Sequence, residues 1–186
     1  MIKTKADLKE YIRADLANNY LGKYKIFDAT RKYLICLRKT EYFLNTHKKI
    51  RYLLCKLKFK HLSDKFLTYI PLNAFEKGLS IGHFGCIFVH PSCRAGVNCR
   101  IHETVNIGAT NGEDQAAVLG DNVFIGSGAK IIGNVKIASD VAIGAGAVVV
   151  KDIDEPGITV GGVPAKKISN NNSHSNIKVL RNIDQI

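Results

Sequence analysis

The sequence predicts a mainly β chain with an α-helical preface: a parallel β-helix wound from six-residue repeats over residues 71–168, preceded by a helical region over 1–70. Three observations carry this. A single aliphatic or small residue recurs every sixth position from Val89 through Ala95, Ile101, Ile107, Leu119, Ile125, Ile131, Ile137 and Ile143 to Val149, with Glu113 the exception. Four residues after these stand Cys93, Cys99, Val105, Val123, Ala129, Val135, Val141, Ala147 and Ile153. Charge and glycine divide the chain near residues 70–80: the first 80 residues hold 18 Lys and Arg against 7 Asp and Glu, whereas 14 of the 16 glycines come later.

A period of six fits neither an amphipathic helix, near 3.6, nor an alternating strand, at 2. It fits a short strand plus a turn, one side of a triangular prism, with three such hexads per 18-residue coil. The aliphatic points inward and stacks on its counterparts about 4.8 Å above and below. The second inward slot is narrow, hence its Cys, Ala and Val.

Ahead of the repeat, Thr4 and Asp7 form a capping box, and Leu8, Tyr11, Ile12 and Leu16 follow at helical spacing. A second helix starts after Asp28, with Leu34, Leu37, Tyr42 and Leu44 for one stripe. A third runs from about Lys49 to Phe66, with Ile50, Leu53, Leu54, Leu57, Leu62 and Phe66 as its apolar face, and Pro71 ends helical structure. Between Gly108 and Val118 a loop leaves the prism. The Asn- and Ser-rich stretch from Ser169 opens a flexible tail over 169–186, with 177–186 as a short docking segment.

With 46% hydrophobic residues the chain has material for a core, which excludes a disordered tail protein. Its longest mostly apolar run, Val141 to Val150, is too short to span a bilayer, and the start lacks an apolar signal core. Five cysteines without CxxC spacing suit a reducing compartment, so a cytoplasmic location is expected.

The segments Leu37-Arg38-Lys39-Thr40-Glu41-Tyr42, Gly78-Leu79-Ser80-Ile81-Gly82-His83-Phe84-Gly85 and Gly161-Gly162-Val163-Pro164-Ala165-Lys166, with the hexads between them, resemble hexapeptide-repeat acyltransferases. The likeness is to the serine acetyltransferase-like branch common among capsular polysaccharide O-acetyltransferases. It implies a left-handed β-helix, a homotrimer, and transfer of acetyl from acetyl-CoA to a hydroxyl, without metal. His83 matches the family's catalytic general base, and His102, one coil on, is placed to orient the acceptor or assist. Ala109, Ser127 and Ala145, spaced by 18, are expected to stack as the column along which the pantetheine arm lies. Lys151, Lys166 and Lys167 are expected to meet its phosphates. His90 reads as structural, and His47, His61 and His174 as without chemical role.

Two departures bear on the acceptor. Serine acetyltransferases carry an aspartate before the catalytic histidine and an Arg-His pair ahead of the next coil; here those places hold Gly82, Gln115 and Ala116. Losing groups that bind a zwitterion favours a sugar or glycan hydroxyl over serine, with serine O-acetylation as the alternative. A noncatalytic scaffold with a basic helical binding face is the second alternative. No nucleic-acid motif accompanies Lys48, Lys49, Arg51, Lys56, Lys58, Lys60 and Lys65, so contact with a membrane or an anionic glycan is the partner their charge suggests.

Overall fold

The computed structural model describes residues 1–19, 28–110 and 114–180. Three α-helices lead the chain: α1 (Lys5–Asn18), α2 (Ala29–Asn45) and α3 (Lys49–Phe66). The predicted capping box is present, Thr4 Oγ1 accepting from the Asp7 amide at 3.1 Å while the Asp7 carboxylate accepts from the Thr4 amide at 2.8 Å. Asp28 caps α2 through the Arg31 amide.

The strands, numbered β1–β14 along the chain, form three sheets. The first contains β1 (Thr68–Tyr69), β3 (Ile87–Val89), β6 (Asn106–Gly108), β9 (Lys130–Ile132) and β12 (Val148–Val149). The second contains β4 (Arg94–Ala95), β7 (Val118–Leu119) and β10 (Lys136–Ile137). The third contains β2 (Ser80–Ile81), β5 (Arg100–Ile101), β8 (Phe124–Ile125), β11 (Ala142–Ile143), β13 (Thr159–Gly161) and β14 (Lys166–Ser169). All pairings are parallel except β13 with β14. The chain visits the sheets in rotation, so each turn of the β-helix adds one strand to each face. Both predicted inward series are buried, including Cys93, Cys99, Ile101, Val123, Ile125, Ala129 and Ile143, with Ile153 at the end only partly so.

Register exposes what the period conceals. Ile125 faces Ile143 and Ile131 faces Val149, eighteen residues on. Yet Ala95 faces Leu119, Ile101 faces Ile125 and Ile107 faces Ile131, each twenty-four on. One extra hexad is therefore looped out between β6 and β7, as the exception at Glu113 suggested, although residues 111–113, Glu113 included, lie outside the described residues. Because the insertion equals one repeat, the pattern stays in phase on both sides while strand neighbours move by six.

The helices are joined to the first coil by a buried ionic cluster. Arg38, fully buried, donates from Nε to Asp15 Oδ2 at 2.7 Å and from Nη1 to Glu41 Oε2 at 3.0 Å. It also donates to the carbonyls of Phe75 and Glu76, both at 2.8 Å. Asp15 Oδ1 in turn accepts from the amides of Gly78 and Leu79, and Glu41 Oε1 from that of Asn73. Gly78 sits at φ +87°, and a Cβ there would lie 2.3 Å from Asn98 Oδ1, so the turn needs glycine. Burial pushes the carboxyls of Asp15 and Glu41 up, and the Arg38 charge opposes it.

Two expectations are corrected. In α3, Ile50, Leu53, Leu54 and Leu57 face outward; its buried side is Ser63 with the partly buried Phe59, Leu62 and Phe66. The helix is apolar on both sides, and periodicity cannot tell which side meets the core. The tail is docked through residue 180: Thr159 Oγ1 donates to the Asn171 carbonyl, His174 Nε2 lies 2.8 Å from Asp140 Oδ1, and Ile177 is fully buried. Its polar residues answer polar groups on the coil corners. Of the segment expected to dock, 181–186 lies outside the described residues.

Replacing Arg38 by Met should strand two buried carboxylates and lower unfolding free energy by about 3–5 kcal/mol. Urea unfolding followed by circular dichroism checks this; a loss below about 1 kcal/mol would mean the cluster is not a structural joint.

Candidate active site at a coil corner

His83 follows β2 at the corner between the third and first sheets, and the helical region sets its position. Asn18 Nδ2 donates to the Gly78 carbonyl at 2.7 Å, and Asn19 Oδ1 accepts from the Ile81 amide at 2.8 Å. On the far side of His83, the ring of Phe84 stacks on Phe66 at 4.5 Å and meets Tyr33 edge-on at 5.6 Å. The His83 side chain itself is left exposed.

His102 comes to the same corner from the next coil, its ring 5.8 Å from that of His83. It occupies the space a side chain at position 82 would need: a Cβ on Gly82 would lie 2.6 Å from the His102 ring. Phe124 packs edge-on against it at 5.3 Å. Arg100 Nε donates to His102 Nε2 at 3.1 Å, which leaves the ring proton on Nδ1. Nδ1 faces Glu103 Oε2 at 3.7 Å, beyond hydrogen-bond length. Burial first, then the Arg100 charge, holds the His102 pKa below its ordinary value, so the neutral ring is favoured at pH 7.

Glu103 was not singled out in the sequence, where it is an acidic residue at a turn. Its carboxyl is held below the usual carboxylate range, first by a hydrogen bond from Ser127. Its Oε2 is buried without a hydrogen-bond partner. The ligating atoms of His83, His102 and Glu103 lie within 4.8 Å of one another, the one such group among the described residues. Two imidazoles and a carboxylate at that spacing suit proton transfer and substrate contact, and are also the donor types a divalent cation would accept.

The proposed column divides in two. Gly128 donates to the Glu103 carbonyl and Gly146 to that of Ser127, so Glu103, Ser127 and Ala145 stack along one edge, beneath His83. Ala109 does not join them: Ile107 and Gly108 face Ile131 and Ile132, which puts Ala109 on the next edge with Gly133 and Lys151. The looped-out hexad is the cause. That second edge borders a groove of about 650 Å³ lined by Thr110, Gln115, Asn134 and Lys151 among others. Lys166 is exposed on β14, and Lys167 pairs with Glu155 at 2.6 Å.

Gln115 Oε1 accepts from Asn134 Nδ2 at 2.9 Å, while Ala116 is buried and its amide donates to Ser92 Oγ. Ser92 Oγ is also 2.8 Å from His90 Nδ1, which gives His90 a structural place.

The coils form a β-helix with a six-residue repeat, and residues 116–151 match the family described as bacterial transferase hexapeptide (six repeats). The named relatives are more particular. The chain is 34% identical over 110 residues to the serine acetyltransferase of Buchnera aphidicola subsp. Schizaphis graminum, covering 56% of this chain and 42% of that protein. It is 39% identical over 103 residues to that of Staphylococcus aureus strain Mu50, covering 53% and 48%. It thus spans less than half the length of these curated relatives. Among solved structures, serine acetyltransferase from Neisseria gonorrhoeae superposes with a TM-score of 0.72 at 26% identity, over 95% of this chain and 72% of that one. The same enzyme in complex with serine gives 0.68 at 29%, over 87% and 69%.

These likenesses overturn the expected sugar or glycan acceptor, because the named relatives are serine acetyltransferases. Lack of charge at positions 82, 115 and 116 does not leave the corner uncharged. The corner instead carries His102, Arg100 and Glu103.

His102 should titrate below its ordinary range of about 6.5 in NMR spectra of the imidazole protons. Arg100→Gln should move that titration upward, by removing a cation that opposes protonation; an unmoved or lowered value would contradict the assigned contact.

Proposed function

We propose that the chain is an acetyl-CoA-dependent serine O-acetyltransferase whose reacting corner is His83, His102 and Glu103. The observation that carries this is their convergence at one corner, on the edge that continues through Ser127 and Ala145, together with the named relatives. His83, exposed at that corner, accepts the proton of the serine hydroxyl as its oxygen bonds to the thioester carbonyl. It returns the proton to the sulfur as the carbon–sulfur bond breaks, so no net proton is needed. His102, neutral and fixed by Arg100, orients the hydroxyl. The Oε2 of Glu103, without a hydrogen-bond partner, suits the substrate ammonium, and the Arg100 guanidinium beside His102 suits its carboxylate.

Acetyl-CoA supplies the acyl group. The small Ser127 and Ala145 leave the edge below His83 open to the pantetheine arm. Lys151 and Lys166 serve the phosphates in this reading, with Ala109 beside Lys151 on the neighbouring edge. Those two edges border opposite margins of one face, so a single arm reaching both groups favours a cleft between two chains. That supports a homotrimer of left-handed β-helices, the hand following the likeness to the solved enzymes.

Release of CoA thiol with serine as acceptor tests the function, and failure of serine to support turnover by the folded protein would overturn it. His83→Ala should lower turnover by roughly 100-fold or more, with acetyl-CoA affinity nearly unchanged. His102→Ala should act less and mainly on the serine KM, and Glu103→Gln should raise that KM.

Ala145→Trp should abolish acetyl-CoA binding in calorimetry without loss of thermal stability, since residue 145 is exposed. Normal affinity in the folded variant would remove this edge from the donor site.

A further inference from the structure

We infer that the outer face of α3 is an interfacial helix that docks on an anionic lipid surface. Ile50, Leu53, Leu54 and Leu57 are 79%, 57%, 64% and 60% exposed, respectively. Their i, i+3, i+4, i+7 spacing makes them one continuous stripe on the side of the helix away from Phe59, Leu62 and Phe66. Singly exposed aliphatics need no explanation, but a stripe of four on one helix does.

Its borders supply the reason. At 100° per residue, Arg51, Lys58 and Lys65 run along one flank of the stripe and Lys49, Lys56 and Lys60 along the other, all exposed. The face carries one acid, Asp64, which Lys60 pairs at 2.8 Å. An apolar strip between two rows of cations is the pattern of a helix lying in a membrane interface: the aliphatics enter the acyl boundary while the long cationic stems reach headgroup phosphates. Lysines held over aromatic rings, Lys56 on Tyr52 at 5.5 Å and Lys65 on Phe66 at 5.7 Å, are braced along the flanks. A second copy of this face is disfavoured, because self-association would oppose two sets of six cations around only four aliphatics per helix. Nucleic acid would use the cations but leave the leucines in water. No helix among the described residues is long and apolar enough to cross a membrane, so docking here is peripheral.

The whole protein would be sedimented with vesicles of phosphatidylcholine alone or of phosphatidylcholine with phosphatidylglycerol. Binding to the anionic vesicles only, weakened by salt, is expected. The double variant Leu53→Glu with Leu57→Glu should cut partitioning by roughly tenfold or more. Arg51→Gln with Lys58→Gln should weaken it while leaving the aliphatics intact, an independent arm should the first variant fold poorly by thermal melt. Absence of partitioning overturns the inference, as does partitioning indifferent to both variants. A Leu→Glu effect on sedimentation mass without vesicle binding would assign the face to a second copy. Binding of a nucleic acid in place of vesicles, surviving the Leu→Glu change, would assign it to that polymer. These readouts are separate from acetyl transfer, so either reading can fail alone.

Discussion

The placement of the candidate corner depends on one buried cation. Arg38, on α2, joins α1 to the start of the first coil through Asp15 and the carbonyls of Phe75 and Glu76, with Glu41 holding it from its own helix. A guanidinium can do this because its donors are fixed in a plane, so several acceptors are met without further ordering. The desolvation of three charges is expensive, and only near-complete hydrogen bonding offsets it. The cluster therefore tolerates one arrangement of helices against coil, and Asp15 transmits that arrangement to Gly78 and Leu79, four or five residues before His83.

The β-helix contributes the complementary kind of rigidity. Each coil rests on the one below through parallel backbone hydrogen bonds and a stacked aliphatic column, so corner positions of successive coils are held a strand spacing apart. That is how residues as far apart in sequence as His83, Glu103, Ser127 and Ala145 come to share an edge. A side chain on such a corner, as His83 is, stays exposed while the strands on either side of it are paired.

The site's electrostatics follow from where the charges lie, not from how many there are. Arg100 acts on His102 by donating to Nε2, which both selects the tautomer and opposes a second proton. Glu103 faces the same ring but beyond bonding distance, and keeps one oxygen unpaired. Position 82 has no side chain because His102 already fills that volume. Part of the positive charge of the helical region is a separate matter: six of its cations lie along the flanks of α3, whose outer stripe takes no part in the core.

Sequence alone determined the features that are local or strictly periodic. The six-residue repeat, the inward series, the capping box at Thr4, the start of α2 after Asp28 and the bounds of α3 follow from spacings that backbone geometry imposes on neighbours, and the motif around His83 singled it out as the candidate base. Tertiary structure decided whatever depends on distant partners. The inserted hexad is in phase with the repeat, so only pairing shows that Ala109 leaves the column of Ser127 and Ala145. The two apolar sides of α3 are equivalent until Phe59, Leu62 and Phe66 meet the first coil. The sequence offered no partner for Arg38 until the fold enclosed it with Asp15 and Glu41, and Glu103 joins the candidate site only because the next coil brings Ser127 to one side of its carboxylate and leaves the other oxygen buried without a hydrogen bond.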